Sequence, residues 1–274
     1  MPDESGWPPV FIAERSSLER DTVLLDGSEG RHAATVRRLR PGERVDLTDG
    51  AGLMVSCVVS AARPGLLELT VVARRLWPPP RPRICVVQAL PKGDRGELAV
   101  ETMTEVGVDV IVPWSAQRCV AVWPGAGAGA GASSGRGTGG KTQARGDKAL
   151  ARWRAAAVAA AKQARRAHIP EVTPLAGTGD VVALLGAAAF GAVLNPDAEL
   201  RLSDLPLPVA GNAAGDATGD IVLIVGPEGG LSPAESAAFA AAGATAARLG
   251  PTVLRSSTAG TAAAAVLLSR CGRW

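Results

Sequence analysis

The residues best placed to do chemistry lie late in the chain. From Ile221 to Leu268 the sequence runs IVLIVGPEGGLSPAE, a short Ala-rich stretch, and then RLGPTVLRSSTAGTAAAAVLL. It pairs one carboxylate (Glu228) and one guanidinium (Arg255) with two glycine-containing loops, Gly226 to Gly230 and Leu249 to Ser256. Glycines let a backbone approach a ligand closely, so two such loops can wall a pocket with N–H and C=O groups. A phosphate-cradling P-loop is excluded, because no Lys-Ser/Thr follows GPEGG.

Local signals say how those loops are held. The apolar run Ile221 to Val225 fits a buried strand ending at Gly226-Pro227. Ser232-Pro233-Ala234-Glu235 then starts a helix: Ser232 caps free amides, Pro233 suits the first position and Glu235 completes a capping box. A second short strand ends on Leu249-Gly250-Pro251, and another helix follows Arg255. The preceding apolar segment, Phe190 to Leu194, reads as a strand ending in Asn195-Pro196-Asp197, after a helix over Asp180 to Leu185.

Basic residues are uneven although the net charge is only +3. Arg31, His32, Arg37, Arg38 and Arg40 fall in one short segment predicted as a helix, Gly30 to Arg40. Crowded arginines repel one another unless a polyanion neutralises them, so this segment is a phosphate-contacting patch or a solvated face. A helix predicted from Lys148 to His168, capped by Asp147, carries Arg152, Arg165 and Arg166 on a polar face without acids, which also favours nucleic acid. Trp153 is expected in the core; Gln163 suits surface or pocket equally. Lys92 sits in the charged loop Pro91 to Arg95, at the C-terminal end of the predicted strand Ile84 to Leu90, where open parallel sheets place ligands. Aromatics are 3% of the chain and Tyr is absent, so stacking cannot be the main recognition device.

Residues 1–76 hold short β-like segments (Val23 to Leu25, Arg44 to Thr48, Leu53 to Val59, Leu66 to Val72) separated by Pro-Gly and Asp-Gly turns, which predicts a small β-barrel. Trp77 to Pro82 is a stiff proline linker. Residues 82–274 have α/β rhythm, with a helix over Glu97 to Val106 whose inner side carries Leu98, Met103 and Val106, and a strand over Val108 to Val112. The Gly/Ala stretch 124–146 reads as a surface loop; its GxGxxA match is trivial for such composition. Ser203 to Gly219 reads as a further loop. Cys57, Cys85, Cys119 and Cys271 match no metal or redox spacing and are expected as small buried residues in a reducing compartment. No signal peptide or membrane span is read, so a soluble cytoplasmic protein is expected.

The order QALPKGDR, ETMTEVGVDVIVP, AAKQARRAHIPEV, GPEGGLSPAE and LGPTVLRSSTAG resembles the RsmE family of 16S ribosomal RNA uridine-N3 methyltransferases, of the SPOUT superfamily. The resemblance spans nearly the whole chain. It implies an N-terminal PUA-like β-barrel (1–76) and a C-terminal SPOUT α/β domain (82–274) whose C-terminal trefoil knot binds S-adenosylmethionine. It implies a homodimer acting on 16S rRNA in the small ribosomal subunit, with no metal and no membrane. Carried over by position, Gly226, Pro227, Glu228, Gly229 and Gly230 form one cofactor loop, and Leu249, Gly250, Leu254, Arg255 and Ser256 another. Leu194, Asn195 and Pro196 line a third side, and Arg255 is the catalytic candidate. Many members read LRTETA, with Glu where this chain has Ser257. Two rivals remain: a SPOUT enzyme for another base or a ribose hydroxyl, and a catalytically silent RNA-binding assembly factor.

Overall fold

The computed structural model describes residues 6–123, 139–207 and 219–274. It divides into two compact units. One comprises Met1–Pro79 with Ala161–Ile169, the other Pro80–Ala160 with Pro170–Trp274.

In the first unit, β1 (Val10–Ile12), β2 (Thr22–Leu25), β3 (Arg44–Thr48), β4 (Leu53–Arg63) and β5 (Leu66–Leu76) form a mixed sheet in the order β1-β3-β4-β5-β2. Only β1–β3 is parallel. Register shifts at Ser56/Cys57 and Val59/Ala61 bend the long β4–β5 ribbon, and the sheet curls around Phe11, Leu18, Val45, Leu47, Val55, Leu67 and Leu69. Helix α1 (Arg15–Leu18) precedes β2, and α2 (Gly27–Arg31) follows it. A π-helical turn, His32–Val36, continues α2, so the element predicted to reach Arg40 stops at Val36.

The second unit is a six-stranded parallel sheet. β6 (Ile84–Ala89), β7 (Val110–Trp114), β8 (Glu171–Val172), β9 (Phe190–Leu194), β10 (Ile221–Val225) and β11 (Thr245–Ala247) are ordered β11-β9-β10-β6-β7-β8. The central strands are continuously apolar because both faces are covered. Ile84, Val86, Ile221 and Leu223 face α3 (Arg95–Val106), α4 (Gly139–Gln163) and α7 (Ser256–Arg270). Cys85, Val87, Val222 and Ile224 face α5 (Thr178–Gly186) and α6 (Pro233–Ala241). Successive residues of one strand thus feed opposite cores, as the period-2 side-chain alternation demands.

The structure corrects several sequence expectations. Leu98 is 49% exposed; the inner stripe of α3 is instead Gly96, Ala99, Val100 and Met103, with Val106 half-buried. Strand β7 starts two residues later than expected, since Gly107 caps α3 and Val108 still donates to Met103 O. Helix α4 begins at Gly139, so Asp147 lies inside it rather than at its start; the helix ends at Gln163, before Arg165 turns left-handed at φ 55°. Residues 124–138, most of the Gly/Ala stretch with its GxGxxA match, and 208–218 lie outside the described residues. Trp153 is buried, edge-on to Trp123.

Candidate active site

The loops leaving the C-terminal ends of β9, β10 and β11 converge. They enclose a cavity of about 630 Å³ at the edge of the parallel sheet where such folds bind ligands. Each loop is fixed from within the chain. Asn195 N donates to Ala247 O (3.0 Å), and the Asn195 side chain accepts from Asp197 N (3.0 Å) in an Asx turn. Pro227 O accepts from Gly230 N (2.9 Å), closing a turn that Gly230 completes at φ 70°, a value that favours glycine. Arg248 N donates to Leu200 O and Arg248 O accepts from Leu202 N (both 2.9 Å), and Arg248 Nη1 donates to Ala198 O (2.7 Å), all in the segment after β9.

The sequence-identified residues are largely brought together. Leu194, Asn195, Pro196, Gly226, Pro227, Glu228, Gly230, Leu249, Gly250, Leu254, Arg255 and Ser256 all line the cavity. Gly229 does not. It turns away onto the loop after β7, where a Cβ would lie 3.1 Å from Arg118 O. Ser256 Oγ donates to Glu228 Oε1 (3.1 Å), so the first residue of α7 ties the β10 loop to the β11 loop. Arg255 is the N-cap of α7 in an extended conformation, with its carbonyl accepting from Thr258 N and Ala259 N (both 2.9 Å). Its side chain is exposed and makes no ion pair among the described residues, Glu228 included. Ser257 is buried in the first turn of α7.

Behind the cavity sits a residue read from sequence only as a helix cap. Glu235 is 3% exposed, and its carboxylate accepts from Gln117 N (2.7 Å) and Ser232 N (2.9 Å), with Thr178 Oγ1 at 3.5 Å. It joins the loop after β7, the start of α5 and the start of α6. Ser232 Oγ accepts from Glu235 N in return, the predicted capping box. Asp197, Ser236, Arg248 and Thr252 also line the cavity and were not singled out from sequence. The Asn-Pro-Asp turn was the available signal for Asp197; the others carry no local signature. Cys119, half-buried nearby, has its thiol pushed above the ordinary 9.0, first by burial, with Glu228 and Glu235 adding to it.

The basic residues fare differently. Arg31, Arg37, Arg38 and Arg40 are exposed around the end of α2, while His32 is half-buried with its ring edge-on to Phe11 at 5.8 Å. Arg165 pairs with Asp46 at 2.5 Å and donates to Pro8 O, and Lys162 pairs with Glu29 at 2.8 Å. Both therefore make ion pairs within the first unit, Lys162 largely buried and Arg165 half-buried. Arg152 pairs with Glu97 at 3.3 Å, Arg166 is half-buried, and Lys92 is exposed in the loop after β6. Among the described residues no group of His, Cys, Asp and Glu could hold a metal ion, and no helix is long and apolar enough to cross a membrane.

Comparison with known proteins converges on one group. An RNA methyltransferase domain model matches residues 78–130 and 134–268, and an RNA methyltransferase PUA domain model matches residues 25–72. A Mycobacterium tuberculosis protein named ribosomal RNA small subunit methyltransferase E is 45% identical over 256 residues, covering 92% of this chain and 88% of that one. A Bacillus subtilis protein of the same name is 22% identical over 253 residues, covering 91% of each. Among solved structures, the Neisseria gonorrhoeae ribosomal RNA small subunit methyltransferase E bound to S-adenosyl methionine superimposes with a TM-score of 0.77 and 26% identity, over 96% of this chain and 98% of that one. With the family model spanning most of the α/β unit and the relatives spanning nearly the whole chain, this protein belongs to the ribosomal RNA small subunit methyltransferase E family.

Proposed function

We propose that this chain transfers a methyl group from S-adenosylmethionine to N3 of a uridine in 16S rRNA, acting in the cytoplasm on the small ribosomal subunit. The observation that carries the reading is the single cavity gathering all but one of the residues assigned to the cofactor from sequence. Its fit to S-adenosylmethionine is chemical. The wall formed by Leu194, Leu249 and Leu254 with open backbone at Gly226 and Gly250 suits a flat, neutral adenine. The cofactor, when bound, supplies an electrophilic methyl on a cationic sulfonium. Glu228, oriented by Ser256, provides the opposite charge.

Alignment of the acceptor is the main demand of an in-line displacement. Arg255, exposed at the rim, stabilises the imide anion that forms as N3 gives up its proton. The buried Ser257 does not take that proton; it passes to water or to one of the cavity's carboxylates, Glu228 and Asp197. The first unit, with its exposed arginines near α2, holds the RNA, and the second carries out the transfer. In keeping with the family resemblance, the segment from β10 to α7 forms a trefoil knot and the protein works as a homodimer. The exposed Val253 and Leu254 on the cavity rim suit burial against a second copy.

The test is to incubate the protein with isotopically labelled S-adenosylmethionine and unmodified small subunits, then digest the RNA for mass spectrometry. Label in N3-methyluridine is expected. Label in a ribose or another base would replace the target, and no label together with no calorimetric heat on adding the cofactor would leave an RNA-binding factor.

A further inference from the structure

Among the described residues Trp7, Trp77 and Trp274 are exposed, and of these Trp77 carries the closest guanidinium. It lies just beyond the last residue of β5, 41% exposed, with the Arg75 guanidinium 3.6 Å from its ring centroid. Residues i and i+2 of an extended strand share a face, which is why Arg75 and Trp77 can stack.

The backbone at this exposed ring is held at several points. Trp77 N donates to Gly52 O (2.9 Å), and His168 Nε2 lies 3.1 Å from both Trp77 O and Pro78 O. The imidazole occupies the space over Gly52. A Cβ there would stand 2.6 Å from Trp77 O and 2.7 Å from the imidazole Cε1, and Gly52 has φ 112°. A backbone position suited only to glycine, a histidine and a strand end together fix the main chain that carries this solvent-facing indole. Nothing in the core needs it: the apolar cluster of this unit is complete without Trp77.

We infer that the Arg75–Trp77 pair is a stacking ledge for one unpaired base of the RNA substrate, the guanidinium serving both as a cationic plane and as a partner for the adjoining phosphate. The inference rests on the RNA-directed function proposed above and adds a recognition site outside the catalytic cavity. Rigidity is what makes an exposed ring useful here, because a preorganised plane loses little freedom when a base settles on it. Stacking of a base on an aromatic ring tolerates any sequence, since every base has a π-face, and an arginine beside it adds cation–π attraction.

The experiment compares wild type, Trp77→Ala, Trp77→Phe and Arg75→Ala for binding to labelled oligoadenylate, oligouridylate and intact small subunits. Melting temperature and S-adenosylmethionine affinity serve as controls. Trp77→Ala is expected to weaken oligoadenylate binding roughly tenfold with both controls unchanged. Trp77→Phe should recover most of the loss, and Arg75→Ala should weaken binding and flatten its salt dependence. Oligonucleotide affinity equal to wild type in Trp77→Ala overturns the ledge. If that equality accompanies weakened binding to whole subunits, the indole contacts a ribosomal protein instead. A wild type that methylates no small-subunit RNA would sink the functional reading itself, whatever the variants do.

Discussion

Arg255 is exposed on the cavity rim, and its backbone carbonyl rather than its side chain anchors the start of α7. Removing the guanidinium should therefore cost chemistry without costing the fold. Arg255→Ala is expected to lower the methylation rate by at least about a hundredfold, the scale seen when one donor to a developing anion is lost, with an unchanged melting temperature. Near-normal turnover would reject the role.

The cysteines make a different statement at the same scale. Burial pushes the Cys85 thiol from 9.0 to about 12, and burial followed by the nearby Asp46 pushes Cys57 to about 11. The unfolded chain ionises these thiols above pH 9 while the native chain keeps them protonated. Their contribution to stability should thus be constant below pH 9 and fall as pH rises from there towards 11 and 12. Denaturant midpoints across that range check it; replacing both cysteines by alanine should remove much of the slope.

At the scale of elements, α3 and α4 meet across a glycine. Gly96 lies under the Trp153 indole, so close that a Cβ would stand 2.7 Å from Nε1. Gly96→Ala should force the ring out of place and destabilise the second unit by about 1–3 kcal/mol, measurable by urea denaturation. Strands β9 and β10 and the Ser232–Glu235 cap were legible in sequence because their signals are local: an apolar run, a Gly-Pro stop, a capping pattern. The Leu98 error was also local. One apolar residue was counted toward a stripe that Gly96 and Ala99 actually form by letting neighbours approach. What the sequence could not show is distance in space: Glu235 reaching Gln117, or Glu29 and Asp46 waiting for Lys162 and Arg165. The basic run from Lys148 to His168 reads as a nucleic-acid face because the acidic partners of Lys162 and Arg165 lie more than a hundred residues earlier in the chain.

For the whole molecule, the pairs Lys162–Glu29 and Arg165–Asp46 matter most, because they make the first unit discontinuous in sequence. Asp46 has a side chain only 9% exposed, and without Arg165 it is a nearly buried unpaired carboxylate. A fragment of residues 1–79 should therefore melt well below the same fragment with residues 161–169 joined through a flexible linker, by circular dichroism at neutral pH. Equal melting curves would show that the second segment is dispensable.

The same discontinuity bears on descent. A crossover that swaps everything before Pro79 between two relatives hands over Glu29 and Asp46 but leaves Lys162 and Arg165 behind. The halves of the charge pairs are then drawn from different parents. Lineages of this protein should exchange the N-terminal unit with least loss of stability where those four positions agree, so these two ion pairs are expected to act as a compatibility lock on recombination.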